Sequence, residues 1–370
     1  MNSYKNKSSR WLTSLKKNFK LFTSQLSSLE IERLIKSDAP NIYQFYARDM
    51  DRPSGKKNWI IKVPIFFKNL FKAFISKMSP LRRLIYLIGA LIFIEGLLSG
   101  RVLYTLGGFF IINILLAFEL ADKLTAKDEL EVARKIQLDL MPKKAPFHAR
   151  FTIVFFNETA HEVGGDFYEF LRIGDDAQSI TVVIGDISGK GMAAALHMVQ
   201  IHTIIHGLKN ISNLKSCLTE LNTRIKSLLP AKQFVTITLT ELASDGCVKF
   251  CRAGHLPLIY YSPAQNDYRE VTPKGIGIGL AKSPEFEKLL EEFTIQTIPG
   301  DVLVLYTDGL VETMNDQKRE FGESRLKEIV IQNASSSGQE IEAAILKAVA
   351  RFRGTAPPFD DLTLIVIKVV

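Results

Sequence analysis

The run Ile180-Thr181-Val182-Val183-Ile184-Gly185-Asp186-Ile187-Ser188-Gly189-Lys190-Gly191 joins a buried strand to an acidic turn and a helix start. Ile180–Gly185 is short, apolar and rich in β-branched residues, the pattern of a strand covered on both faces. Its end delivers one carboxylate, Asp186, into a turn of small residues, and a helix is expected from near Met192. A carboxylate at a strand end is held rigidly, and adjacent glycines let a cation or a phosphate approach the backbone. Free N–H groups at the helix start and the charge of Lys190 suit a phosphate as well. The spacing is not that of a nucleotide phosphate loop, because no Gly-x-x-x-x-Gly-Lys-Ser/Thr is present.

Working outward, three more aspartates occupy comparable places. They are Asp166 in Val163-Gly164-Gly165-Asp166-Phe167, Asp308 in Tyr306-Thr307-Asp308-Gly309, and Asp360 in Phe359-Asp360-Asp361-Leu362-Thr363. Singly, each reads equally well as a turn cap. Jointly, four acids at the ends of apolar strands repel one another unless cations are present. The set therefore points to a hydrolytic centre built on two oxygen-ligated metals.

Around these turns, residues 147–370 carry strand-like runs at Phe151–Asn157, Ile180–Gly185, Phe234–Leu242, Cys247–Ala253, Leu258–Tyr261, Phe293–Ile298, Asp301–Thr307 and Leu362–Val369. Helical patterns fall at Met192–Leu208, Leu214–Leu229, Ser324–Gln332 and Gly338–Phe352. Strand-rich ends with central and late helices predict an α+β sheet-and-helix sandwich rather than a parallel doubly wound sheet.

The preceding part of the chain has a different character. Residues 1–83 hold 18 Lys/Arg against 5 Asp/Glu, so a net charge of +8 for the whole chain leaves the remainder acidic. A basic arm can bind nucleic acid, but this one leads directly into the most apolar stretch of the sequence, so a membrane is the expected partner and nucleic acid is not. Residues 60–78 alternate Lys with Phe, Ile and Leu, as in an amphipathic segment on an anionic surface. Leu84–Leu98 and Val102–Phe118 are apolar runs separated by Ser99-Gly100-Arg101, which predicts a two-helix transmembrane hairpin. Basic residues on both sides predict both termini and the catalytic domain in the cytoplasm, in a multi-pass protein of the inner membrane. Glu95, Arg101 and Asn113 are awkward in lipid and are expected to pair with one another or at a dimer interface. From 119 to 140, Leu120, Leu124, Leu130, Ala133, Ile136 and Leu140 recur at helical spacing, which predicts a helix leaving the membrane and a parallel coiled coil in a homodimer. The resulting division is a basic segment at 1–80, a hairpin at 81–118, a linker helix at 119–146 and a catalytic domain at 147–370.

Gly164-Gly165-Asp166, Gly185-Asp186-Ile187-Ser188-Gly189-Lys190-Gly191, Ala253-Gly254-His255-Leu256-Pro257, the stretch from Pro299-Gly300-Asp301 to Tyr306-Thr307-Asp308-Gly309-Leu310-Val311-Glu312, and Asp360-Asp361-Leu362-Thr363 follow one another in order. This set resembles the motifs of the SpoIIE/RsbU branch of the metal-dependent serine/threonine phosphatases of type 2C. The resemblance covers roughly residues 130–370, including Ala133-Arg134-Lys135-Ile136-Gln137 and Leu140-Met141-Pro142, which look like that family's linker helix. It implies an antiparallel β-sandwich flanked by helices, with two Mn²⁺ or Mg²⁺ ions in a cleft at one edge. By the same resemblance Asp186 bridges the ions, the Ile187 carbonyl completes one of them, Asp308 and Asp360 hold one, and Asp166 sits on the metal–water network near the other. The implied chemistry is in-line attack on phosphorus by a water that both ions acidify, with Gly189 and Lys190 next to the substrate phosphate. The implied substrate is a phosphoserine or phosphothreonine on a small regulatory protein of the anti-sigma-factor-antagonist type, in a partner-switching circuit.

Two positions depart from the family pattern. Lys190 stands where many relatives have His, which leaves the proton donor to the leaving oxygen in doubt, and Glu169 stands where Asp is frequent. His255 is expected to support its turn rather than to touch substrate. His202 and His206 lie one helical turn apart but lack a neighbouring Glu in a zinc motif, so they are read as non-ligands. Gly275-Ile276-Gly277-Ile278-Gly279 is expected to be a tight turn or flap, and Cys217, Cys247 and Cys251 give no disulfide framework. Two other classes compete with the phosphatase. One is a catalytically silent partner-binding signalling module, which loss of the acids would indicate, and all four are present. The other is a nucleotide-binding or cyclase-like membrane enzyme, which the missing phosphate loop disfavours.

Overall fold

The computed structural model describes residues 68–370 apart from 70, 73, 173–177, 209–212 and 231–232. Nearly all of the basic segment at 1–80, and most of the amphipathic stretch at 60–78, lie outside the described residues. The chain divides into two compact units, Met1–Lys123 and Leu124–Val370.

In the first unit, α1 (Pro80–Ser99) and the start of α2 (Val102–Leu140) are joined through Gly100, whose left-handed φ of 68° closes α1. Glycines bring the two helices close: a Cβ at Gly96 would collide with the Thr105 backbone nitrogen. Arg82 near the start of α1 pairs with Glu119 at 3.1 Å and Asp122 at 2.7 Å. Glu95 and Arg101 approach to 4.0 Å, whereas the Asn113 amide donates to its own helix, at the Phe109 carbonyl. Among the described residues one helix, α2, is long and apolar enough to cross a membrane. The twenty residues of α1 fall short of that composition because Arg82, Arg83 and Glu95 sit among them.

The second unit is a four-layer sandwich. One sheet has the strand order β1 (Phe151–Glu158), β10 (Leu362–Val369), β9 (Val302–Tyr306), β6 (Leu258–Ser262), β7 (Asp267–Val271). The other runs β2 (Phe167–Leu171), β3 (Ile180–Ile187), β4 (Val235–Leu242), β5 (Cys247–Ala253), β8 (Glu292–Gln296). Every paired strand is antiparallel. The helices α3 (Met192–His206), α4 (Leu214–Ile225), α5 (Ser283–Leu289), α6 (Asp308–Val311), α7 (Glu323–Asn333) and α8 (Gly338–Arg353) complete the unit.

Side chains alternate across a strand, and here each alternation feeds a different core. Val182 and Ile184 of β3 meet Leu303 and Leu305 of β9 between the sheets, with Ile365 and Ile367 of β10. Val183 and Ile187 point the other way, onto Met198 and Ile201 of α3 and Leu218 and Leu221 of α4. On the opposite flank Val302, Val304 and Tyr306 pack on Leu326 and Val330 of α7 and Ile341 and Ile345 of α8. β9 is thus apolar throughout, and β3 and β10 nearly so, because both of their faces are covered. Helix α8 starts at a capping box in which Ser337 and Glu340 satisfy each other's backbone N–H groups.

The expected α+β antiparallel sandwich is therefore present, and every predicted strand and helix in it appears with small shifts at the ends. Four short elements were not predicted, among them the four-residue helix α6. β2 and β7 are five-residue edge strands, and α5 is a seven-residue helix. Their polar residues, such as Glu169 in β2 and Arg269-Glu270 in β7, hide the period-two signal.

Candidate active site

Two sheets meet at one edge of the sandwich, and each contributes acids there. Asp186 ends β3 of one sheet. Asp308 opens α6 directly after β9, and Asp360 precedes β10, so both come from the other sheet. All three line one cleft of about 390 Å³, together with Ser188, Gly189, Lys190, Thr236, His255 and Glu312. The backbone of the Ser188–Gly191 turn relies on Gly189 and Gly191, at φ of 109° and 74°, in the left-handed region that disfavours side chains.

The electrostatics follow from this crowding. Burial, then the neighbouring charges of Asp308, Asp360 and Asp361, push the Asp186 carboxyl up to about 7. Asp308 is raised by burial and by Asp360, and Glu312 by burial and by Asp308. Among the described residues Lys190 answers them: its Nζ lies 2.6 Å from Asp360 Oδ2, donates to the Phe359 carbonyl at 3.0 Å, and sits 4.2 Å over the Phe359 ring. The donors facing the cleft from these acids are carboxylate oxygens, which hard divalent cations such as Mn²⁺ and Mg²⁺ prefer. Their mutual repulsion is what such a cation relieves, so the residues fit the metals implied by the sequence.

The four aspartates are not equivalent. Asp166 is buried behind the cleft, where its Oδ2 accepts from the hydroxyls of Thr307 and Thr363, each at 2.7 Å. Burial and the charge of Asp186 hold its carboxyl well above the usual range. It reaches the cleft side of the fold through its neighbour Gly165: a Cβ there would stand 3.0 Å from the Ile187 carbonyl oxygen and 3.1 Å from Asp186 Oδ1. Asp361 turns away from Asp360, as adjacent residues of an extended chain do. Its carboxylate accepts from the backbone N–H groups of Ala160 and Gly165, at 2.8 and 2.7 Å, and so pins the Asp166 loop.

His255 lies at the buried wall of the cleft, with Nδ1 3.0 Å from Thr236 Oγ1, and burial lowers its pKa to about 4. The ring is therefore neutral near pH 7. Its carbonyl accepts from Arg252, which fits a supporting role for this turn. The glycine run at 275–279 is irregular backbone held beside β4 by a bridge between Val235 and Ile278, with a turn only at its end, where the Leu280 N–H donates to the Gly277 carbonyl at 3.2 Å.

Several contributors were not singled out from sequence. Gln137 of α2, nearly fully buried, donates to the Gly164 carbonyl at 2.7 Å and accepts from the Gly164 N–H at 3.2 Å. Thr307, Thr363 and Glu312 stood inside quoted motifs without assigned roles. The reading of His202 and His206 also changes. A Glu does stand beside them, Glu169 of β2, which β2–β3 pairing and α3 packing bring across 33 residues of sequence.

Comparison with known proteins agrees with this architecture. The family model for stage II sporulation protein E (SpoIIE) matches residues 176–370. The phosphoserine phosphatase RsbU of Bacillus subtilis is 27% identical over 244 residues, covering 65% of this chain and 70% of that protein. The phosphoserine phosphatase RsbP of the same organism is 26% identical over 198 residues, covering 51% of this chain and 47% of that protein. Among solved structures, the SiaA-PP2C domain of Pseudomonas aeruginosa superposes with a TM-score of 0.58 at 20% identity, covering 67% of this chain and 98% of that domain.

Proposed function

Because the chain belongs to the SpoIIE family and is a metal-dependent protein serine/threonine phosphatase, we propose that its cleft hydrolyses phosphoserine or phosphothreonine on a small regulatory protein. By the name of its relative RsbU, a phosphoserine is the nearer substrate class, and a protein of the anti-sigma-factor-antagonist type in a partner-switching circuit is the fitting partner. One observation carries this reading: Asp186, Asp308 and Asp360 converge on one cleft from two different sheets.

In this reading two ions occupy the cleft. Asp186 and the Ile187 carbonyl would hold them from the β3 side, Asp308 and Asp360 from the β9–β10 side, and Asp166 would act from behind through its neighbours. Bound there, hard divalent cations acidify a water and offset charge on the phosphoryl oxygens. The protein supplies the rest. Asp186 near the end of β3 and Asp308 at the start of α6 are carried on backbone that the two sheets anchor. Lys190 and the Gly189 turn lie at the rim, where a phosphate can be oriented, and a cation at Asp360 would compete with the Lys190 ion pair. Neutral His255 supports the wall through Thr236.

The same proposal includes a membrane anchor. Residues 81–118 form a hairpin in the inner membrane, with the 1–80 segment, the linker helix at 119–146 and the catalytic domain at 147–370 in the cytoplasm. The apolar composition of α2 supports the anchor. Exposed Leu124, Val132, Ile136 and Leu138 on α2 support a homodimer through that helix. Signal would then pass along α2 to Gln137, whose grip on Gly164 reaches the Asp166 loop.

The decisive experiment is Mn²⁺-dependent phosphate release from a phosphoserine protein by the full-length chain in detergent, repeated with Asp186→Asn and Asp308→Asn. Loss of turnover in both variants is expected. Activity that survives both substitutions would overturn the assignment of the cleft.

A further inference from the structure

On the far side of the Asp186 turn, β2 and α3 bring together three ligating groups that the hydrolytic reading does not use. His202 and His206 lie one turn apart on α3, so their rings share one face of the helix. Glu169 of β2 projects against that face, with its side chain only 3% exposed. His202 Nδ1 contacts Glu169 Oε1, and His206 Nε2 lies 3.1 Å from Glu169 Oε2. The two imidazole centroids are 4.5 Å apart, and the three ligand atoms all fall within 4.8 Å of one another. None of the three lines the acidic cleft.

We propose that Glu169, His202 and His206 form a second metal site, for a zinc-class transition cation. Two imidazole nitrogens and one carboxylate oxygen are a donor set that zinc accepts, with a water or another ligand in the fourth position. The set differs in kind from the cleft. Imidazole selects Zn²⁺, Co²⁺, Ni²⁺ or Cu²⁺ over the hard ions that carboxylate and carbonyl oxygens hold. The side chain of His206 is 46% exposed, which gives a cation entry and leaves the fourth position open to solvent. A cation here would lock the C-terminal half of α3 to β2. The first of these elements follows the Asp186 turn, and the second follows Asp166 directly, so the site ties together the two segments that lead out of the acid cluster.

The test uses the full-length chain and Zn²⁺ in the presence of excess Mg²⁺, which saturates oxygen-only sites. Zinc content after dialysis and zinc X-ray absorption are measured on the wild type, and zinc affinity on His206→Ala and Glu169→Gln. One retained zinc with imidazole scattering is expected, with affinity roughly 100-fold weaker in His206→Ala. Three results would each overturn the site: no zinc retained by the folded wild type, zinc retained in an all-oxygen shell, or affinity unchanged in His206→Ala. His206 is half-exposed, so its replacement is the milder test of folding. If a variant fails to fold, the wild-type absorption spectrum alone decides.

Discussion

Gln137 grips Gly164 on both sides of its backbone: the side-chain amide donates to the Gly164 carbonyl at 2.7 Å while its carbonyl accepts from the Gly164 N–H at 3.2 Å. Gly164 is two residues from Asp166 and is itself held from the other side, because Asp361 Oδ2 accepts from the next N–H, that of Gly165. The turn before Asp166 is thus suspended between the helix that enters the domain and the strand that ends it. Gln137→Ala removes two buried hydrogen bonds, a loss of about 1–3 kcal/mol. The expected result is weaker Mn²⁺ activation with near-normal turnover at saturating Mn²⁺, measured as phosphate release against metal concentration.

Asp308→Asn is expected to act in opposite directions on two readouts. Turnover should fall by roughly 10²–10³-fold, the usual scale for removing one group that stabilises developing charge. The melting temperature of the metal-free protein should rise, because an amide no longer repels Asp186 and Asp360. A fall in both would indicate that Asp308 is a structural cap instead.

The raised carboxyl of Asp186 gives a pH dependence of known sign. Its pKa is 3.8 when unperturbed and about 7 in the fold. A folded pKa above the unfolded one favours folding below about pH 4, and that contribution is lost as the pH rises through 7. Metal-free protein should therefore lose stability from this site between about pH 4 and pH 7. The stabilisation on adding Mn²⁺ should be larger at pH 8 than at pH 5, which thermal melts at the two pH values would check.

Lys190 occupies Asp360 at 2.6 Å, in competition with any cation that needs the same oxygen. With a side chain 45% exposed, the pair is worth about 0.5–1 kcal/mol after solvent screening. Lys190→Met should therefore tighten apparent Mn²⁺ binding about two- to fivefold, read by calorimetry. Unchanged affinity would remove Lys190 from the metal's competition.

Much of this site is legible in the sequence, and the illegible part has a common cause. The turns around Asp186, Asp308 and Asp360 announce themselves because small residues interrupt strands that are apolar on both faces. Asp166 is visible as a motif, yet its burial beneath Thr307 and Thr363 is not, since those hydroxyls arrive from β9 and β10, 141 and 197 residues away. Gln137 reads as the polar face of a surface helix, because nothing local distinguishes a glutamine that finds a backbone turn from one that finds water. Glu169 and His202 fail for the same reason, their meeting being decided by strand pairing and helix packing. Local chemistry names the acids, and topology decides what each one touches.

The strand order has a practical side. β1 is the outer neighbour of β10, and β2 is the outer neighbour of β3, so each sheet has one border strand drawn from residues 151–171. A shortened protein that began at residue 176, where the family match begins, would strip a border from both sheets at once. It would leave Val- and Ile-rich β3 and β10 with free hydrogen-bonding rims, the template for edge-to-edge association. Such a fragment would precipitate, and its silence in an assay would say nothing about its acids. Any soluble enzyme cut from this chain has to keep the residues from Phe151 onward.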